Sequence, residues 1–212
     1  MLDQHSPSGP STRAELALAM ILVAVAGATD AIGFLKLSHL FVSFMSGNST
    51  QFAIAVLRAD RSGAFRGGML VLTFVLGAMA GRAVFRIFGN RYRPIVLFCD
   101  AALLATAALI ARGPFLTILP LPFAMGMQNA AVRNAGKTKT SLTYVTGTLV
   151  HLGETLADTL FGERTAWIAY GAMWLALIAG AIAGTLFFQV IGLYALFVPA
   201  ILCLILGVYS IK

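Results

Sequence analysis

The sequence is poor in charge, in cysteine and in polar stretches, and each of these absences narrows what the protein can be. Only 11% of its 212 residues are charged, whereas a typical soluble domain carries about 25%. Apolar runs of roughly 20 residues, the length that crosses a bilayer, recur along almost the whole chain. No room remains for a sizeable soluble domain, so the composition excludes a soluble enzyme and predicts an integral membrane protein.

Cysteines and clustered basic residues are equally scarce. Cys99 and Cys203 lie inside apolar runs without CxxC spacing, so neither a disulfide framework nor a metal site is indicated. The net charge of +7 comes from basic residues that stand singly or in short clusters between apolar runs. That distribution follows the positive-inside rule of membrane proteins and argues against nucleic-acid binding. We therefore expect the lipid bilayer as a partner, with no nucleic acid, no metal and no cofactor.

Hydropathy, with breaks at glycine, proline and charge, divides the chain into eight apolar segments. They follow a polar tail, residues 1–13, that we expect to be disordered. The segments are approximately Ala14 to Leu35, Leu40 to Leu57, Gly67 to Phe88, Pro94 to Ala111, Phe115 to Val132, Leu142 to Leu160, Ala166 to Val190, and Leu193 to Ile211. Residues 14–112 hold four of them and residues 113–212 hold the other four, as two repeats of one membrane domain.

An internal repeat relates the two halves. Three short motifs occur twice, in the same order, at offsets of 99, 100 and 103 residues. The pairs are residues 27–31 with 126–130, residues 43–48 with 143–148, and the GAxAG motifs at residues 77–81 and 180–184. Small-residue matches alone are common in membrane helices, but the second pair combines an aromatic residue, hydroxyl residues and a glycine in one order.

The second segment of each half is too polar in its middle to face lipid as an ordinary spanning helix. Residues 46–51 read Ser-Gly-Asn-Ser-Thr-Gln, and residues 146–148 read Thr-Gly-Thr. A short β-prone run precedes each glycine, and the hydroxyl residue beside it can cap a helix. We therefore predict a short strand in each half, followed by a half-helix that starts near Gly47 or Gly147.

The basic residues favour a re-entrant course for both polar segments. If all eight segments span, these residues divide seven against eight between the two sides of the membrane; if the polar segments dip in and return, they divide ten against five. The second division obeys the positive-inside rule. Three spans per half is an odd number, so the halves take opposite orientations. The predicted fold is an all-α integral protein of the bacterial inner membrane, with two inverted repeats that each contain three spanning helices and one strand/half-helix re-entrant segment.

Two opposed half-helices would bring their N-termini together near the middle of the membrane. Each N-terminus carries unpaired N–H groups and about half a positive charge, so the pair forms a site for a small anion or a weak acid. The predicted substrate-binding residues are Ser46, Gly47, Asn48, Ser49, Gln51, Thr146, Gly147, Thr148 and His151. The alternative is that these small residues only pack helices and that the hydroxyls are satisfied locally.

Asp30 and its repeat counterpart Asn129 differ in charge. A carboxylate in an apolar run is costly unless it faces a polar interior, so Asp30 is a candidate for coupling to a proton or cation, with Gln128 and Asn129 as hydrogen-bonding partners. Equally, Asp30 could lie at the membrane surface and pair with Lys36 or His39. Both interpretations remain open.

A polar stripe follows Gly147 on the second half-helix. His151, Glu154 and Asp158 share one face with it, which suits either a proton relay or a structural network. His151 aligns with Gln51 in the repeat, and it is the member that we expect to contact substrate.

The repeat argues for transport rather than catalysis. Ser46 and His151 could be imagined as the nucleophile and base of an intramembrane enzyme, but the sequence has no GxSxG elbow and Ser46 has Thr146 as its repeat partner. We therefore expect a secondary transporter or channel for a small anion or weak acid, and not an enzyme. A non-transporting membrane scaffold or accessory protein is the alternative.

Four blocks of sequence carry a resemblance to a known family. Residues 30–34, 41–49, 126–133 and 143–149 closely resemble the signature blocks of the YoaK-like family of bacterial membrane proteins, a domain of unknown function. The architecture is also similar to that of uracil and sulfate permease-type transporters, which pair a short strand with a half-helix in each of two inverted repeats and bind substrate between them. Those permeases have a separate gate domain that this chain lacks, so whether the protein acts alone or as a homodimer stays open.

Overall fold

The computed structural model describes residues 13–37, 39–131, 145–163 and 165–211. These residues form eight α-helices linked by 3-10 turns and short loops, with no strand among them, which confirms the all-helical prediction. The helices are α1 Arg13–Lys36, α2 Met45–Leu57, α3 Arg61–Phe88, α4 Tyr92–Ile110, α5 Pro120–Gln128, α6 Val145–Leu160, α7 Trp167–Ile191 and α8 Phe197–Tyr209. The polar tail that we expect to be disordered lies outside the described residues, apart from Arg13.

Within the described residues, three helical stretches are long and apolar enough to cross a membrane: Ala14–Lys36, Arg61–Ile110 and Trp167–Tyr209. The second joins α3 to α4 and the third joins α7 to α8, each through a 3-10 turn. These turns begin at Gly89 and Gly192, which have φ angles of 52° and 60°. Glycine suits this left-handed conformation because it has no Cβ atom. The two glycines are 103 residues apart, the same offset as the GAxAG motifs.

Helices α2, α5 and α6 stand apart from these stretches and are shorter than a bilayer span of roughly 20 residues. They have 13, 9 and 16 residues. For α2 and α6, this length agrees with the prediction of half-helices. The segment predicted from Phe115 to Val132 differs, because it starts as a 3-10 turn and becomes α-helical only at Pro120. Proline lacks an N–H group and fits the first turn of a helix.

Glycines set the two closest helix contacts, α1 with α7 and α3 with α5. A Cβ atom built on Gly180 would lie 2.0 Å from the carbonyl oxygen of Ala24, and one built on Gly77 would lie 2.0 Å from that of Phe123. Gly77 and Gly180 are counterparts in the repeat, and so are Ala24 and Phe123. The repeat found in the sequence therefore reappears as a pair of matching contacts between the two halves.

The hydrophobic core is built around α4, which packs against α8, α5 and α3. Leu97 and Leu104 of α4 are fully buried together with Leu22 of α1 and Met125 of α5 in one cluster. Helix α8 closes this cluster through its packing on α4. The two halves consequently share one core rather than forming two separate ones.

The strand predicted ahead of α2 is wrong. Residues 40–44 pair with no strand in the described part of the chain; instead, the Asn48 side chain holds this segment. The Phe41 N–H donates to Asn48 Oδ1 over 2.9 Å, and Asn48 Nδ2 donates to the Phe41 carbonyl over 2.6 Å. The amide side chain thus supplies the acceptor and donor that a neighbouring strand would supply. The strand predicted ahead of α6 falls on residues 141–144, outside the described residues.

Candidate functional site

A cavity of about 410 Å³ lies among α1, α7 and the beginnings of α2 and α6. This volume is within the roughly 300–1,000 Å³ that is usual for small-molecule sites. The polar side chains that line it in the described residues are those of Asp30, Ser43, Thr146 and Thr185, and most of the other walls are apolar. The cavity therefore combines residues of both repeats.

Asp30 anchors the entry into α2 from its place on α1. Its Oδ1 accepts hydrogen bonds from the N–H groups of Val42 and Ser43, over 2.8 and 2.7 Å. Its Oδ2 accepts a hydrogen bond from the Ser43 hydroxyl. Asp30 therefore connects α1 directly to Val42 and Ser43, two residues of the segment that leads into α2.

The hydrogen-bonding partners expected for Asp30 are wrong. Gln128 is fully buried and its amide makes no hydrogen bond within the described residues, and the Asn129 amide nitrogen donates to the Met125 carbonyl over 2.9 Å. The alternative pairing of Asp30 with Lys36 or His39 is wrong as well, because the ion pair found among the described residues joins His151 to Glu154. Sequence alone could not identify Ser43 as the partner, because it lies 13 residues away across a turn.

The predicted binding residues of α2 lie beside the cavity rather than in its wall. Asn48 is fully buried and bonds to Phe41, Ser49 donates to the Met45 carbonyl over 2.8 Å, and Ser46 and Gln51 are exposed. Gly47 packs against the Phe44 ring, which would lie 2.6 Å from an added Cβ atom. Their part in substrate binding stays a prediction, while Asn48 has a clear structural role.

Of the predicted residues of α6, Thr146 lines the cavity. Gly147 and Thr148 are buried one step further along the helix. His151 forms an ion pair with Glu154, with 3.0 Å between Nδ1 and Oε2, and its ring lies 5.4 Å from that of Tyr170. Two members of the polar stripe, His151 and Glu154, are therefore paired with each other. A contact of His151 with substrate stays a prediction.

One buried acid was missed by the sequence interpretation. Asp100 lies in the middle of α4, is fully buried, and has no hydrogen-bond partner for either carboxylate oxygen in the described residues. A single carboxylate inside an apolar run is a signal in itself. It was overlooked because its counterpart in the repeat is Cys203, so the comparison of the two halves did not single it out.

Replacing Asn48 with alanine tests the structural role of this residue. The change leaves the partly buried N–H and carbonyl groups of Phe41 without these partners, and each such loss costs about 1–3 kcal/mol when the group is shielded from water. We expect Asn48→Ala to lower the free energy of unfolding by about 2 kcal/mol or more. Gln51→Ala, at an exposed position three residues further along α2, should change it by less than about 0.5 kcal/mol. Chaotrope unfolding in detergent compares the two variants, and equal effects would contradict the assignment.

Comparison with known sequences assigns the chain to a protein family. A family model described as "Protein of unknown function (DUF1275)" matches residues 18–209. The chain belongs to the DUF1275 family. This confirms the resemblance carried by the repeated glycine motifs.

Two DUF1275 relatives carry the description "UPF0700 transmembrane protein". RA0705 of Rhizobium meliloti (strain 1021) is 40% identical over 193 residues, which cover 90% of this chain and 84% of the relative. YoaK of Bacillus subtilis (strain 168) is 27% identical over 158 residues, 69% of each chain. No solved structure matches the chain significantly.

Proposed function

We propose that this membrane protein is a secondary transporter or channel for a small anion or weak acid, and that the substrate binds in the cavity between α1, α2, α6 and α7. The observation that carries the proposal is that one cavity is bordered both by Phe44, which precedes α2, and by Val145, where α6 begins. Two short helices that start at a common cavity are the arrangement in which backbone N–H groups bind a polar ligand.

The walls of the cavity suit a weak acid with an apolar body. Phe34, Phe41 and Leu177 supply apolar surface, while Ser43 and Thr185 supply hydroxyl groups. Apolar walls with a few polar groups are usual for sites that orient a small molecule. A small inorganic anion would leave much of the apolar wall unused, so a weak organic acid fits better.

The two ends of the cavity differ in charge. Just ahead of α2, the carboxyl group of Asp30 accepts hydrogen bonds from Val42 and Ser43, and an ionised Asp30 would repel a second negative group. In the other repeat, the equivalent residue is the neutral Asn129. We therefore propose that the negative end of the substrate faces the beginning of α6, beside Thr146. Coupling through Asp30 stays a prediction.

We also propose that α2 and α6 are re-entrant and that the two repeats are inverted in the inner membrane. Three observations support this course of the chain: the short lengths of α2 and α6, the matching contacts of Gly77 and Gly180, and the ten-to-five division of basic residues that it gives. Whether two copies associate stays open.

A thermal-shift screen on purified protein tests the proposal. Small carboxylic acids, nucleobase-like weak acids and inorganic anions are added separately to the protein in detergent. A ligand that binds the folded state stabilises it by about 2.7 kcal/mol at 100 times its Kd, so a selective rise in the unfolding midpoint is expected for one chemical class. Counterflow of that compound in proteoliposomes then tests transport. A screen with no selective shift would contradict the proposal.

A pair of neighbouring substitutions on α6 locates the binding site. Leu149 lines the cavity, whereas Val150, the next residue, does not and is 52% exposed. We expect Leu149→Trp to fill part of the cavity and remove the stabilisation by the compound found in the screen. Val150→Trp should still be stabilised by that compound, and its Kd for the compound should be within twofold of the Kd of the unsubstituted protein. If both variants bind equally well, the ligand lies elsewhere.

A membrane scaffold or accessory protein is the second candidate. It is favoured by the hydroxyl groups of α2, which bond to carbonyls of their own helix: Ser49 to Met45 and Thr50 to Ser46. Such satisfied groups need no ligand. This role predicts no selective stabilisation by small acids. That the protein is not an enzyme stays a prediction.

A further inference from the structure

Asp100 is placed where a carboxylate is most costly. It lies in the middle of α4, with 0% of its surface exposed. Residues one turn away on the same helix, Leu97 and Leu104, are fully buried in the hydrophobic cluster, and Ala101 beside it is buried in the same cluster. Neither of its carboxylate oxygens has a hydrogen-bond partner in the described part of the chain.

Asp100 lacks the hydrogen-bond donors that surround Asp30. Asp30 receives hydrogen bonds from two backbone N–H groups and one hydroxyl group, and donors of this kind stabilise a negative charge. Asp100 receives none, so an ionised form would be a buried charge without compensation. A carboxylic acid that keeps its proton avoids that charge. Asp30 and Asp100 are therefore suited to different tasks.

Among the described residues, no basic side chain forms an ion pair with Asp100. Within the described residues, no cluster of three or more histidine, cysteine or acidic side chains could hold a metal ion. The one ion pair found there joins His151 to Glu154, so no arginine neutralises Asp100. Helices α5 and α8, which pack on α4, contain no charged residue. The charged residues of the other elements that pack on α4 are Arg61, Arg66, Arg82, Arg86 and Arg91, with Arg93 on α4 itself.

Two thiols lie on the helices that meet at Asp100. Cys99 is its neighbour on α4, and Cys203 is fully buried on α8, which packs on α4. Asp100 and Cys203 are 103 residues apart, so they are counterparts in the repeat. The acid therefore lies at the contact between the fourth helices of the two halves, where a change of charge would act on both.

We propose that Asp100 is a proton-binding site at the α4–α8 interface. The ligand is a single proton, bound to one carboxylate oxygen. The proton is released to water only when the interface opens. The carboxylate that remains after release needs hydrogen-bond donors, and the closed interface does not provide them. Proton release would thus be linked to separation of the two halves. The proposal does not depend on which substrate the cavity binds.

Infrared spectroscopy of the full-length protein, in a detergent without ester or carboxyl groups, tests the site without any ligand. A protonated carboxylic acid has a C=O stretching band that carboxylates and amides lack. We expect the unsubstituted protein to show this band at neutral pH, and we expect Asp100→Asn to lose it. Asp30→Asn is the matched control, because it removes another carboxyl group of the membrane region and should leave the band in place.

Asp100→Glu keeps the test decisive if the asparagine variant does not fold. The longer acid should retain the band at a shifted frequency, because its C=O group lies in a different environment. A band that is absent from the unsubstituted protein, or that survives unchanged in Asp100→Asn or Asp100→Glu, would overturn the proposal. So would its disappearance when sodium replaces choline in the buffer, which would indicate a cation site.

Discussion

Replacing Gly180 with alanine is expected to prevent α1 and α7 from packing. The added Cβ atom would lie 2.0 Å from the carbonyl oxygen of Ala24, a backbone atom that can move away only if the whole helix moves. Overpacking of a tight core usually costs 1–3 kcal/mol and occasionally more. Because no side chain here can rotate aside, we expect a loss of more than about 3 kcal/mol, seen as loss of the monodisperse folded protein after detergent extraction.

Gly153→Ala is the matched control for this substitution. Gly153 also lies within a helix, α6, but nothing surrounds an added Cβ atom within 4 Å. Alanine favours a helix by up to about 1 kcal/mol over glycine, so this variant should be as stable as the unsubstituted protein or slightly more stable. Gly77→Ala, at the position equivalent to Gly180, should resemble Gly180→Ala. If Gly180→Ala proved as stable as Gly153→Ala, the close helix contact would be refuted.

The glycine contacts also explain how two halves can hold together in lipid. Lipid tails are as apolar as the helix surfaces, so helices associate through close van der Waals packing, which small residues permit. Gly27 and Gly126 make the reciprocal contacts: added Cβ atoms would lie 2.3 Å from the Leu177 carbonyl oxygen and 2.1 Å from that of Phe74. In each contact, both helices therefore contribute a glycine: Gly27 and Gly180 between α1 and α7, and Gly77 and Gly126 between α3 and α5.

Element positions could be predicted closely from sequence because apolar runs end where charge or glycine begins. The second segment was expected to end at Leu57, and α2 does end there, just before Arg58. The seventh was expected over Ala166 to Val190 and is found as Trp167–Ile191. The positions of the helices could be predicted because segment length, composition and the GAxAG repeat can be read directly from the sequence.

The candidate site depended on contacts that no local pattern contains. Thr146 lines the cavity, whereas Asn48 holds Phe41. Tertiary contacts decide which face of a short helix turns inward. The strand predicted ahead of α2 is wrong for the same reason, because β-prone residues form a strand only beside a partner strand. Asp100 could not be placed either, since its burial follows from the packing of α4 on α8.

Replacing Asp30 with alanine is expected to separate the entry of α2 from α1. The change leaves the N–H groups of Val42 and Ser43 and the Ser43 hydroxyl without their acceptor, and each unsatisfied buried group costs about 1–3 kcal/mol. Since both residues are buried, we expect a loss of about 3 kcal/mol or more in the free energy of unfolding, measured by chaotrope unfolding in detergent.

Asp30→Asn separates the role of hydrogen-bond acceptor from that of charge. Its amide oxygen can still accept from both N–H groups, and its amide nitrogen can donate to the Ser43 hydroxyl, so the loss should be about 1 kcal/mol or less. The other repeat has asparagine, Asn129, at this position. Equal losses in the two variants would mean that the charge of Asp30, and not its geometry as an acceptor, holds α2 in place. If the asparagine variant folds and binds ligand normally but no longer transports it, Asp30 has a coupling role beyond the structural one.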